Sequence, residues 1–596
     1  MSLSLPLVNV LDYDPEFLQQ CPEQEAAREG ARQGELDDGA GSTGRFAAGR
    51  AHRAVRPGGR RLMAVDLAVV GARVRTMDPS APWATAVAIT DGVIVAVGSD
   101  AEVRELCDAG TEVLDAGGAA VTPGLVDSHQ HLLTGAEVGR GLDLDRVADL
   151  DGVRAALAAE RRRVGDGWVL GFALEYSALG GRRWHHDLVD DATGPCPMLL
   201  YALDLHTGFA NAAALRAAGI DGARSFPDGA SIVCDEDGRP TGELRERSAI
   251  ELVSRTIPVA GRAERLGWYR DAIARQNAVG ITAIHQMDGD DDTAATLAAL
   301  DDEHALGLRV ALHYWIGPDT DDEAVDAILR GPRHRGRRWS AGGVKLMLDG
   351  VIETGTAWLE DPDEEGGGRA AMWPDIERFR RTVAACHGAG LRIATHAIGD
   401  RAVREVLDAY ASLPARDGAP HRIEHIETAP DTTVARFAPQ RVTASMQPIH
   451  LRWMKPDLSD PWSQRLGLPR CQHVMRSGDL SAAGALVVLG SDWPVAPFDP
   501  RLGLFAARAR RPPDSDDERA IGASRPLSGE EALAGYTRNA AEAIGEEGVA
   551  GMLRPGYRAD LVAWGEDPAD CPVADLPELP VLATVVGGEV VHRAGP

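Results

Sequence analysis

Between residues 121 and 492 one local pattern occurs eight times: an apolar run of β type, bounded by turn residues, then an Ala-, Arg- and Leu-rich stretch of helical composition. The runs are 121–129, 280–286, 309–315, 342–349, 391–397, 421–427, 442–448 and 485–492. Parallel strands covered by helices are buried on both faces, so they read as continuous apolar runs alternating with helices. Eight such units close as a (β/α)₈ barrel, and the fold class expected is α/β with that TIM-type barrel at its centre. The interval between the first two runs is far too long for one crossover. Residues about 140–275 are therefore expected to form an insertion on the face where such barrels place their active sites.

Shorter β-type runs occupy both ends. "DLAVVGARVRT", "ATAVAITDGVIVAVG" and "TEVLDAG" lie within 64–122, and "ADLVAWG" and "LATVVGGEVVHR" lie within 559–593. Neither set can bury a core alone, so residues 63–122 and 553–596 are expected to build one small β-sandwich, with the barrel spanning 123–552. Residues 1–62 are polar, lack any sustained period, and read as a disordered extension.

Charge and cysteine content narrow the function. A formal charge of −28 argues against nucleic acid, whose binding runs on Lys and Arg neutralising phosphates. The seven cysteines are dispersed without metal or disulfide spacing, which fits a reducing cytoplasm. No stretch approaches the roughly 18–20 apolar residues of a membrane helix, and the N-terminus lacks the order of a signal peptide.

Chemistry collects at the ends of the eight runs. The first finishes in "DSHQH", and because successive side chains on a strand point to opposite faces, His129 and His131 share one face. The fourth run carries Lys345, the fifth ends in His396, the sixth in His425 and the eighth in Asp492. Each alone reads as an ordinary polar loop residue; together, at the C-terminal ends of barrel strands, they read as a metal site. Neutral imidazoles are good ligands for Zn²⁺ and similar ions, and a catalytic site leaves a position for water. The ion lowers the pKa of that water from 15.7 to about 7 and polarises a carbonyl. Asp492 suits two tasks, metal ligand and catalytic proton carrier from water to a leaving amine. His285, Gln447 and His450 end the second and seventh runs and are expected to contact substrate, as is His206 of the insertion; Trp184, His185, His186 and Asp204 are further candidates there, several of them more simply fold residues of a lid. Asp400, just past His396, would orient an imidazole from behind or cap the next helix. Glu424 points away from His425 along its strand and reads as a structural pairing partner.

The stretches "VTPGLVDSHQH", "GITAIHQ", "GGVKLMLDGVIETGTAWL", "THAIGDRAV", "RIEHIE", "MQPIH", "LGSDWPVAPFDPRLG" and "GMLRPGYRADLVAWGEDP" fall in this order from about 64 to 593. The series resembles the amidohydrolase superfamily, and within it the amidohydrolase-3 branch that includes N-substituted formamide deformylases. That resemblance implies a metal-dependent hydrolase attacking a non-peptide C–N bond, amide or N-formyl, with metal-activated hydroxide. It implies His129 and His131 as ligands of the more buried ion, His396 and His425 completing the site, and Glu175 as a substrate contact. In binuclear members a strand-four lysine is carboxylated and bridges two ions, and Lys345 sits at the matching place. Of the 62 Lys and Arg residues only Lys345 and Lys455 are lysine, and arginine, always protonated, cannot form a carbamate. The alternative for Lys345 is a buried amine paired with Asp349. Zinc is the first choice of metal, as one ion or two. The runner-up activities are a deaminase or cyclic-amide hydrolase using the same ligands; a reading from another class is a non-catalytic scaffold. A small molecule is the expected partner, and a homodimer is the commonest assembly for such a chain.

Overall fold

The computed structural model describes residues 64–595, apart from 146, 148, 181, 204, 227–229, 332, 514 and 516. The extension expected over 1–62 and the candidate Asp204 lie outside the described residues.

Eight strands form the central sheet: β1 (Leu125–Gln130), β2 (Ile281–Gly289), β3 (Arg309–Ile316), β4 (Trp339–Met347), β5 (Arg392–Ala397), β6 (Arg422–His425), β7 (Thr443–Met446) and β8 (Val487–Leu489). They neighbour one another in chain order, every pair parallel. The ring closes where Gln130 bridges Trp493 in parallel, with the Asp492 N–H donating to His129 O at 2.7 Å. This is a TIM-type barrel. Ile284, Val344, Ile393, Ile423, Ala444 and Val488 are fully buried within it, which explains why the strands read as unbroken apolar runs.

The expected first run divides in two. Ala120–Pro123 pairs antiparallel with Leu561–Trp564 in a separate sheet, and β1 begins only at Leu125. Gly124 marks the crossing, where an added Cβ would stand 2.2 Å from Thr282 Oγ1. That six-stranded sheet mixes both chain ends, from Trp83–Ala84, Arg73–Arg75 and Ala120–Pro123 to Leu561–Trp564, Val581–Val586 and Glu589–Arg593. A four-stranded sheet of Val93–Gly98, Ala86–Thr90, Leu67–Val70 and Glu112–Asp115 accompanies it. Leu67, Val74 and Ile89 share a core with Leu561 and Val585, so the two ends bury apolar surface that neither could bury alone.

Between β1 and β2 the insertion builds its own six-stranded sheet, from Leu142–Asp143 to Pro240–Arg245, followed by helices Arg247–Ser254 and Arg262–Asn277. Among the described residues no helix is long and apolar enough to cross a membrane.

Candidate metal centre

At the C-terminal end of the barrel, β1 delivers His129 and His131 to one buried face. The neighbouring β8 hands over to Asp492 through Gly490, where a Cβ would meet His129 N at 2.5 Å and Asp127 Oδ1 at 2.9 Å. Only glycine lets the two strands approach so closely. Both Asp492 (φ 63°) and His425 (φ 72°) occupy the left-handed region that non-glycine residues avoid. Such conformations persist where surrounding structure enforces them, commonly at functional sites. Asp127 supplies part of that enforcement, accepting from Ser491 Oγ at 2.5 Å, Ser491 N at 2.9 Å and Gln130 Nε2 at 2.9 Å.

Asp492 is the hub. Its Oδ1 lies 3.0 Å from His131 Nε2 and 3.4 Å from His129 Nε2, while its Oδ2 lies 3.9 Å from His425 Nδ1 and 3.9 Å from His450 Nε2. Lys345 Nζ stands 3.1 Å from His129 Nε2, and the His396 and His425 rings are 4.3 Å apart. The six residues read from the strand ends therefore share one buried centre. Burial, then the Lys345 charge, holds the His129 imidazole neutral; burial does the same for His396 and His425. Burial also pulls the Lys345 amine down to about 8. For Asp492 burial opposes ionisation, but His131, hydrogen-bonded to its Oδ1 at 3.0 Å, works against it and favours the carboxylate.

A ring of carboxylates stands behind these imidazoles. Glu424 Oε2 accepts from His129 Nδ1 at 2.6 Å, and Asp288 Oδ2 lies 3.3 Å from His131 Nδ1. Asp349 accepts the backbone N–H groups of Trp358, Ile398 and Gly399 at 2.8, 3.0 and 2.8 Å, and its Oδ1 lies 3.7 Å from His396 Nε2. Carboxylates in this position fix the tautomer and orientation of a metal-binding imidazole.

The donor set fits a divalent ion. Nδ1 of His396 and both ring nitrogens of His425 are buried without a hydrogen-bond partner, as is His450 Nε2. Buried polar atoms are nearly always satisfied, so imidazole nitrogens gathered in one buried centre without partners are what an ion would complete. The ligand atoms of His129, His131 and Asp492, and those of His425, His450 and Asp492, each fall within 4.8 Å of one another.

Several expectations need correction. His285 is not at the site: Arg422 Nη1 donates to its Nδ1 at 2.8 Å, and it borders a cavity at the opposite mouth of the barrel with Thr282 and Ser340. The cause is strand length, since β2 continues to Gly289 through a bulge after Gln286, and Asp288 is the residue of this strand that reaches His131. Asp400 also turns away, accepting from the N–H groups of Glu360 and Arg401 at 2.9 Å each. Lys345 does not pair with Asp349, whose oxygens are taken by backbone N–H groups. Glu424 does avoid His425, but across the barrel it meets His129. The signal was present in "RIEHIE", an acid inside a buried strand two residues from Arg422, which donates to it at 2.5 Å.

Of the other candidates, Trp184 packs in the insertion's own core against Tyr176 and Phe209, and His185 and His186 sit on a partly exposed turn of the insertion, away from the ring of imidazoles. His450, on the turn Pro448–Trp453, stacks against His425, and Gln447 is buried at the end of β7. From the insertion, His206 is buried with its Nδ1 2.8 Å from Glu246 Oε2, close enough to His396 to disfavour protonation there. Glu175 follows the insertion strand Val169–Leu174 and is half-buried beside Tyr176, whose hydroxyl lies 2.8 Å from Thr207 Oγ1.

A parallel eight-stranded barrel with imidazoles, a lysine and an aspartate gathered at its C-terminal mouth is the architecture of a metal-dependent hydrolase. Residues 112–592 match the model of the amidohydrolase family, and the chain belongs to that family. It is 29% identical to the N-substituted formamide deformylase of Arthrobacter pascens, over 88% of this chain and 97% of that one. It is 30% identical to the protein LONG AFTER FAR-RED 3 of Arabidopsis thaliana, over 88% and 91%. An uncharacterized metal-dependent hydrolase of Pyrococcus horikoshii OT3 shares the fold, with a TM-score of 0.67 at 24% identity over 85% of this chain and 99% of that one.

Proposed function

We propose that this chain hydrolyses a non-peptide C–N bond, of amide or N-formyl type, in a small molecule. The observation that carries the reading is the position of Asp492, whose two oxygens face four imidazoles at 3.0–3.9 Å. A divalent ion, zinc first, held by His129, His131, His396, His425 and Asp492 would supply an activated water and polarise the substrate carbonyl. Asp492, kept ionised, accepts a proton from the water and returns it to the departing nitrogen, so amide and water become carboxylic acid and amine. Lys345, with its amine near neutrality, is suited to add CO₂: its nitrogen bonds the carbon and loses a proton, and the resulting carbamate would serve a second ion. His450 and Gln447 on one side, and His206 held by Glu246 on the other, present polar groups for substrate. The formamide deformylase among the relatives favours the N-formyl case. A cytoplasmic homodimer is the setting we infer.

A panel of N-formyl amines, N-acyl amines, cyclic amides and aminated heterocycles, given to zinc-loaded protein, tests this reading. Release of formate or carboxylate together with amine supports it. Ammonia without a carboxylate would assign a deaminase, and no turnover of any class with metal bound would assign a scaffold.

A further inference from the structure

We propose that the insertion carries a second metal site, formed by His185, His186, Asp187 and Asp190, which takes one divalent ion of the zinc, copper and nickel class. None of these residues belongs to the barrel centre, and the proposal does not rest on the activity inferred above.

The two oxygens of Asp187 face the two imidazoles separately. Oδ2 is 3.3 Å from His185 Nδ1 and Oδ1 is 3.2 Å from His186 Nδ1, while Asp190 Oδ2 is 2.7 Å from His186 Nδ1. A tetrahedral ion with bonds of about 2.0–2.2 Å spaces its ligand atoms about 3.3–3.5 Å apart. Two of the three separations already approach that spacing. The His185, His186 and Asp187 donor atoms all fall within 4.8 Å of one another, and the two rings lie 4.6 Å apart.

The existing contact at His185 is weak. The backbone N–H of Asp187 donates to His185 Nδ1 at 3.3 Å, a long bond that an ion taking the same nitrogen lone pair would displace. His186 and Asp190, four residues apart on one turn, are already paired at 2.7 Å.

Local structure holds the donors together. His185 caps the short 3₁₀ turn His186–Leu188, and the helical turn Asp190–Thr193 follows directly, so all four donors come from six consecutive residues. Asp190 Oδ1 accepts the Ala212 N–H at 3.0 Å, which fixes this carboxylate against the next segment of the insertion. Imidazole donors select borderline metals over calcium and magnesium, which prefer all-oxygen sites. The turn also packs on the strand Pro240–Arg245, where a Cβ on Gly242 would lie 3.4 Å from His186 Cβ. That strand leads straight into Glu246, the partner of His206. Occupancy would thus stiffen the part of the insertion that presents His206 to the barrel mouth.

The test counts zinc. Full-length protein is equilibrated with Zn²⁺, desalted and assayed for metal per chain, alongside His185→Ala/His186→Ala and Asp187→Asn. The double variant should retain one equivalent fewer than the parent, and Asp187→Asn should lose that equivalent at lower chelator concentration. Added Zn²⁺ should raise the thermal midpoint of the parent more than that of the double variant. Calcium should produce neither difference. Equal zinc content in parent and double variant would overturn the proposal. Asp187 is largely exposed, so Asp187→Asn reads the site even if the double variant folds poorly.

Discussion

Glu424 Oε2 lies 2.6 Å from Nδ1 of His129, and the same carboxylate takes two bonds from the Arg422 guanidinium, at 2.5 and 2.9 Å. Burial opposes its charge, but Arg422 and Lys345 hold it ionised. An ionised carboxylate can only accept, so Nδ1 of His129 donates and its Nε2 lone pair is directed at the centre. One buried acid thereby sets the tautomer of His129.

Glu424→Gln keeps the shape and removes the charge. The expected outcome is metal retention weakened about 10–100-fold, read by competition with a chelator. Stability should also fall, because Arg422 is left buried without its counter-charge, at a cost of about 3–5 kcal/mol in denaturant unfolding. Unchanged metal affinity would remove Glu424 from its supporting role.

Asp492→Asn should lower kcat about 10²–10⁴-fold, since an amide cannot carry the proton between water and leaving nitrogen. The comparison is made at matched metal content, so that loss of a ligand and loss of the proton carrier are separated. A variant with full metal and near-parental kcat would contradict the mechanism.

Gly490→Ala tests the closure of the barrel. The added carbon would approach His129 N to 2.5 Å, and β1 and β8 must part to admit it. Destabilisation of about 1–3 kcal/mol is expected from overpacking, together with loss of metal, both measured on the purified variant.

His421 provides an acid-sensitive latch at the start of β6. Burial, then the charges of Arg416 and His387, lowers its pKa from 6.5 to about 3, and its Nδ1 accepts the Ile393 N–H at 3.2 Å. Between these values the unfolded chain binds a proton that the folded chain does not, so stability rises with pH across that window and is lost as pH falls through it. Urea unfolding from pH 7 to 5 should show a shallower loss for His421→Asn, whose amide oxygen can still accept. Parallel curves would falsify the assignment.

Much of the architecture is legible along the chain because each strand states its own surroundings. Val344, Ile393 and Val488 are apolar since they face packed neighbours on both sides, and that demand is local. The candidate metal-binding residues are visible for the opposite reason: imidazole and carboxylate interrupt apolar runs where the barrel opens. Where a strand ends is less local. Gly289 extends β2 through a bulge that no residue type announces, so the second run reads as ending at 286 and His285 as a pocket residue.

The sequence by itself determined which side chains could bind an ion, because donor chemistry and strand alternation belong to single residues and their nearest neighbours. Only the tertiary structure decided which carboxylates stand behind them. Glu424 and His129 are 295 positions apart and meet across the barrel, as do Asp288 and His131 between adjacent strands. Such pairings depend on register and closure, set by the whole sheet packing at once, and no short stretch encodes them.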